Sequence, residues 1–162
     1  MSNRLNSHHL ARFIEDEKIT ASIIYLNQPT KTVMDAAAAL AARPEQIVKS
    51  VLFLANEEPV LAITNGLSRI QYKVLADFLG ISRRRLKMAD AAQVLAITGY
   101  VVGSVPPFGH RQPIRVVVDA AVHQLPYAHI YAGGGETNAL LQIAPAELGR
   151  AIQATAESAH FL

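Results

Sequence analysis

Lys49 is the residue least in keeping with its neighbours. It stands within Ile47-Val-Lys-Ser-Val-Leu-Phe-Leu54, one of the most apolar stretches of the chain. Burying an unpaired ammonium is costly, so a lysine flanked this way must reach water, an anion or a partner. Either its stem packs while its head stays solvated, or it binds an anion or a carbonyl at the mouth of a pocket. A second candidate is the turn-rich run Gly99-Tyr-Val-Val-Gly-Ser-Val-Pro-Pro-Phe-Gly109. Glycine lets backbone approach a ligand closely, and Pro106-Pro107 fixes a bend. Such a loop can aim N–H groups at a developing oxyanion, or it can simply connect two elements across the surface. Gly133-Gly134-Gly135 is the third. It lacks the Lys-Ser/Thr ending of a phosphate loop and the spacing of a dinucleotide fingerprint, and reads as a tight turn or bulge between strands.

Other chemistries are disfavoured. The chain has no Cys, which removes thiolate zinc sites, disulfides and Cys nucleophiles. The six His residues form no His-Glu-x-x-His motif, so no metal and no other cofactor is expected. No Gly-x-Ser-x-Gly elbow is present. At 162 residues, 51% apolar and with a net charge of +2, the chain is expected to form a single domain, 1–162, around one core. Charge is unevenly spread: Gly66 to Asp90 carries +4, and Val116 to Leu162 carries −3. Within the basic part, Arg83-Arg84-Arg85 and Lys87 are candidates for meeting phosphates, or else form a solvated face. The longest apolar run, Ala36 to Ala42, is far short of the roughly 20 residues of a spanning helix. Met1 to Lys18 carries charges where a signal peptide needs an apolar stretch, so a cytoplasmic, non-membrane protein is expected.

The elements that must position these residues follow from periodicity. Helices are expected from about Leu5 to Lys18, from Thr32, paired with Asp35 as a cap, to about Ala42 with Val33, Ala37, Leu40 and Ala41 buried, and along the Tyr72, Leu75, Ala76, Leu79 stripe closed by Gly80. Another runs from Asp90 and Gln93 to Gly99, and a last one starts at Pro145. Strands are expected at Ser22–Asn27, at Ile47–Ala55 and Pro59–Thr64 joined as a hairpin, and at Ile114–Val118, His129–Tyr131 and Ala139–Ile143. Tyr25 and Tyr72 read as strand and helix residues. Mixed hairpins and separate helices indicate an α+β domain.

Taken together, three pieces carry a resemblance: Gln46-Ile-Val-Lys49-Ser-Val-Leu-Phe, Pro59-Val-Leu-Ala-Ile, and Thr98-Gly-Tyr-Val-Val-Gly103-Ser-Val-Pro106-Pro-Phe-Gly109. They resemble the YbaK family of aminoacyl-tRNA deacylases, which includes the editing domain inserted in bacterial prolyl-tRNA synthetases. The similarity continues through Ile114-Arg-Val-Val-Val-Asp119, Ile130-Tyr-Ala-Gly-Gly and Leu141-Gln-Ile-Ala-Pro145, and spans about Lys31 to Arg150. It implies a mixed, barrel-like β-sheet with surrounding helices, and metal-independent hydrolysis of a mischarged tRNA of the proline type, assisted by the tRNA's own ribose hydroxyl. It implies that Lys49 binds the substrate's phosphate or carbonyl and that the loop of Gly103 meets the terminal adenosine or the ester. Ser50, Tyr25, Gly99, Ser104, Pro106 and Gly133 are then substrate-binding candidates. The implied partners are aminoacyl-tRNA and a prolyl-tRNA synthetase, not DNA. The sequence departs from the family where many free-standing members have Ser and it has Ala132, and where Gly134-Gly-Glu-Thr-Asn138 replaces the usual Gly-Lys-Arg-Gly. Thr137 and Asn138 are the candidate replacements for the family's late polar residues. Two other functions stay open: a non-catalytic module that binds nucleotide, tRNA or a synthetase, and a hydrolase of small aminoacyl or peptidyl esters.

Overall fold

The hairpin at the centre of the molecule shows how local chemistry sets the frame. Strands β2 (Val48–Ala55) and β3 (Glu58–Asn65) pair antiparallel through a two-residue turn, Asn56-Glu57, whose residues both take positive φ, +52° and +70°. That is the handedness a two-residue hairpin needs to follow the strand twist. The fold described here is a computed structural model, covering residues 4–152 and the backbone of 156–159.

Before the hairpin come α1 (Ser7–Asp16), β1 (Ala21–Tyr25) and α2 (Val33–Leu40). After it come α3 (Tyr72–Leu79), β4 (Leu86–Met88), α4 (Ala91–Thr98), β5 (Arg115–Asp119), α5 (Ala120–His123), β6 (Ile130–Gly133), β7 (Ala139–Ile143), α6 (Pro145–Ile152) and β8 (Ala156–Ala159). Helix ends follow the expected signals. Thr32 Oγ1 accepts the Asp35 N–H at 3.0 Å, Asp90 and Gln93 form a reciprocal cap, and Gly80 and Gly99 end α3 and α4 in the left-handed conformation. The buried face of α2 differs from the expected one. Ala36 and Ala37 are buried, whereas Ala41 is exposed because it adopts φ +52° as the helix's C-cap and leaves the stripe. The short β4 and α5 carry too few residues to show a period.

The strands form two sheets: β4-β2-β3-β5-β8, with β3, β5 and β8 parallel, and β1-β7-β6, which is antiparallel. Alternation along the larger sheet divides its side chains. Val48, Leu52, Leu61, Ile63, Val116 and Val118 pack with Ile130, Ala132, Leu141 and Ile143 of the smaller sheet. Phe53, Val60, Ala62 and Val117 pack instead on Leu75 and Ala76 of α3. A sheet covered on both faces reads as nearly continuous apolar sequence, which is why Val51 to Ala55 shows no polar alternation.

The expected barrel-like sheet is not seen. Side chains of the two sheets share one apolar core, and an isolated bridge joins Ile47, just before β2, to Tyr131 of β6. Among the described residues no ladder closes them into a barrel. The α+β class stands. The corner where β2 and β6 meet and then diverge leaves a hollow, and the residues of chemical interest gather there.

Candidate functional site

A cleft of about 200 Å3 opens at this corner. β2 contributes Lys49 and Ser50, β6 contributes Ala132 and Gly133, the 99–109 loop contributes Gly103 and Val105, and Thr30 to Val33 approach from the β1–α2 connection. Lys49 and Gly103, far apart in sequence, therefore border one space, with Ser50 and Gly133 beside them. No carboxylate lines the cleft, while two lysines, Lys31 and Lys49, do.

Lys49 is half-buried. Burial, and then the nearby Arg69 cation, hold its pKa below the ordinary lysine value. Among the described residues Ser50 Oγ and Thr64 Oγ1 are buried without a hydrogen-bond partner, and Thr64 stands opposite Lys49 across the hairpin. A buried hydroxyl without a partner costs stability, and Ser50, a residue of the cleft's lining, carries that cost.

The loop opposite is braced rather than loose. Tyr100, fully buried, donates its hydroxyl to Gly109 O at 2.8 Å, and burial pushes that phenol's pKa up to about 12. His110 Nε2 donates to Pro106 O at 2.7 Å, and burial lowers the imidazole's pKa. Ser104 donates both its N–H and its Oγ–H to Val101 O. Between these anchors Gly103 adopts φ +87°, and an added Cβ there would meet nothing within 4 Å. Glycine is required by the backbone conformation, and the open space beside it is the cleft. Gly133 is required for the opposite reason: a Cβ would stand 2.2 Å from Val105 O.

Other expected site residues lie outside the cleft's lining. Tyr25 is 54% exposed and donates its hydroxyl to Ser7 Oγ at 2.6 Å, and Ser7 in turn bonds the Glu136 carboxylate. Glu136 also accepts the Ser7 N–H, which places a negative charge at the start of α1. Gly99 is the C-cap of α4, and the side chain of Leu5 leaves no room there for a Cβ. Ser104 and Pro106 serve the loop's internal bonds. Thr137 O and Asn138 O accept the N–H groups of Thr30 and Leu26, so these two residues pin the β1–α2 connection. Arg83, Arg84 and Arg85 form a 3-10 turn, and Arg84, Arg85 and Lys87 border a separate hollow beside Asn56 and Glu57. Those two residues are the hairpin turn, roughly 20 Å along β2 from Lys49 at about 3.3 Å per residue. Arg85 is tied to Asn56 Oδ1 and Arg83 to Leu86 O. Thr30 to Val33 were missed from sequence, since nothing in a strand-to-helix connection says which cleft it will border. Among the described residues no group of three His, Asp or Glu side chains is placed to hold a metal ion, and no helix is long and apolar enough to cross a membrane.

Comparison with known proteins assigns the class. Residues 27–151 match the aminoacyl-tRNA editing domain, and the chain belongs to that family. Relatives include the proline–tRNA ligase of Streptococcus equi subsp. equi, 31% identical over 129 residues, covering 78% of this chain and 20% of the ligase. That of Thermoanaerobacter sp. strain X514 is 28% identical over 108 residues, 67% of this chain and 19% of the ligase. The chain thus spans about a fifth of the length of these curated relatives. Among solved structures, a candidate trans-editing enzyme for prolyl tRNA synthetase superposes with a TM-score of 0.84 at 28% identity, over 95% of this chain and 94% of that one. The hypothetical protein APE2540 gives 0.82 at 30% identity, over 93% and 97%.

Proposed function

We propose that the cleft receives the acylated 3′ terminus of a mischarged tRNA and hydrolyses its ester. The carrying observation is that Lys49 and Gly103 border one hollow that holds cations, an unpartnered Ser50 hydroxyl and no carboxylate. An aminoacyl ester is already activated, so orienting a water and stabilising the tetrahedral oxyanion suffice. Water attacks the carbonyl carbon and the bond to the ribose oxygen breaks. That oxygen leaves as a hydroxyl, and a free amino acid is released. Lys49 supplies positive charge where the oxyanion develops, and the Gly103 turn brings backbone against the same space. As the family resemblance implies, the neighbouring ribose hydroxyl of the substrate assists the attack. This chemistry requires no metal. Relatives named as proline–tRNA ligases support a tRNA of the proline type and a prolyl-tRNA synthetase as partner, and a translation-related domain points to the cytoplasm.

The test is a panel of tRNAs misacylated with Ala, Ser, Cys and other amino acids, incubated with wild type and Lys49→Ala. Loss of one oxyanion donor typically lowers the rate by about 10²–10³, so Lys49→Ala is expected to fall by that factor on the preferred substrate. Equal rates in the two proteins would remove Lys49 from the mechanism. Tight tRNA binding with no ester loss across the panel would instead identify a non-catalytic binding module.

A further inference from the structure

Lys49 borders a second hollow. On the face of β2 that carries Lys49, Val51 and Phe53, a groove of about 510 Å3 lies against the 66–70 segment leading into α3, and Ser68, Arg69, Tyr72 and Met88 line it. Groove and cleft thus share one lining residue, Lys49. The groove, like the cleft, has no carboxylate in its lining. Arg69 is exposed, makes no hydrogen bond or ion pair among the described residues, and is near enough to Lys49 for its charge to be felt there. Two cations side by side without a counterion repel, and a phosphodiester between them would relieve both. Further along, the Arg83 guanidinium lies 4.5 Å over the Tyr72 ring, while Leu67 and Met88 are 50% and 55% exposed. Cations for phosphates beside apolar surface for bases are what a groove for single-stranded nucleic acid requires.

We propose that this groove carries the single-stranded 3′ end of an RNA. The phosphodiester nearest the cleft is held between Lys49 and Arg69, and the next base lies along Leu67 and Met88. The assignment rests on reading the cleft as the seat of an acylated terminal ribose, and it moves the RNA path away from the hollow of Arg84 and Lys87.

The experiment is fluorescence anisotropy with a labelled single-stranded RNA tetranucleotide ending in CCA, titrated across salt. Arg69→Ala is expected to weaken binding roughly three- to fivefold near 50 mM salt and to reduce the salt slope by about 0.7, the loss of one phosphate contact on a single strand. Arg12→Ala, which removes the same charge from the exposed face of α1, is expected to bind as wild type does. Unchanged affinity and slope in Arg69→Ala overturns the proposal. So does a larger loss in the Arg84→Ala, Lys87→Ala double variant, or a wild type that does not bind the oligonucleotide. A heparin fragment of equal charge that binds as tightly as the RNA would remove the assignment to RNA. Misacylated tRNA then separates the two readings. Binding through Arg69 without ester loss leaves the groove standing and defeats the catalytic reading. Ester loss with kcat/KM unchanged by Arg69→Ala does the reverse.

Discussion

Gly133→Ala tests whether the 99–109 loop and β6 form the two walls of one cleft. The added methyl would stand 2.2 Å from Val105 O, 2.6 Å from Val105 C and 2.9 Å from Ser104 C, all backbone atoms with no flexible end to swing aside. Ordinary contact begins at 3.4 Å, so the walls must part by about 1.2 Å. The loop resists that displacement, because Gly135 N–H holds Ser104 O at 2.9 Å and Tyr100 holds Gly109 O. Forced overpacking of this kind costs about 1–3 kcal/mol. At about 2–4 °C per kcal/mol for a chain of this size, the melting temperature should fall by roughly 2–12 °C. Gly103 lies next to the displaced pair, so its spacing from Lys49 changes by a similar amount. A misplacement of about 1 Å near a reacting centre costs on the order of 10²-fold in rate. The assays are thermal unfolding by circular dichroism and deacylation at a temperature well below both midpoints. Gly133→Ala with the stability and rate of wild type would refute the packing of Gly133 on the loop, and with it the shared cleft.

Two further outcomes follow from the titrating groups. In the proposed mechanism Lys49 acts as an ammonium, so enzyme-catalysed deacylation above the spontaneous rate should decline as pH rises through its pKa, which lies below that of an ordinary lysine. Arg69→Ala removes the like charge and should shift that decline to higher pH, and activity that rises through the same range would make Lys49 a base instead. For Tyr100, a folded pKa raised from 10.0 to about 12 means the protonated phenol is favoured in the native state. Its contribution is complete below pH 10 and is lost as pH climbs toward 12. Tyr100→Phe should therefore melt lower at neutral pH, by the about 1–3 kcal/mol of an unsatisfied Gly109 carbonyl, and the difference from wild type should shrink over that alkaline window.

Much of the molecule was legible where a few neighbouring residues decide the outcome. The Thr32 and Asp90 caps, the Gly80 and Gly99 stops and the turn of the 48–65 hairpin each depend on contacts within about four residues. Lys49 was conspicuous because a charge inside an apolar run needs a reason, whatever the fold. Gly103 stood out because a glycine between turn residues signals an unusual φ. For the arginine triplet, local charge density says nothing about distance from the cleft. Arg69, a single cation in a short connecting segment, gave no signal of its own.

By itself the chain settled the types of the longer elements, several helix caps and the oddity of Lys49 and Gly103, since periodicity, capping and desolvation all operate over short range. Tertiary structure alone decided that the sheets pack as layers instead of closing, that Glu136 ties α1 and that Thr30 to Val33 border the cleft. It also decided that Lys49 is a lining residue of two hollows. These outcomes depend on how two sheet faces meet across an apolar core, and on which backbone can approach which at 133, quantities set by packing between segments distant in sequence.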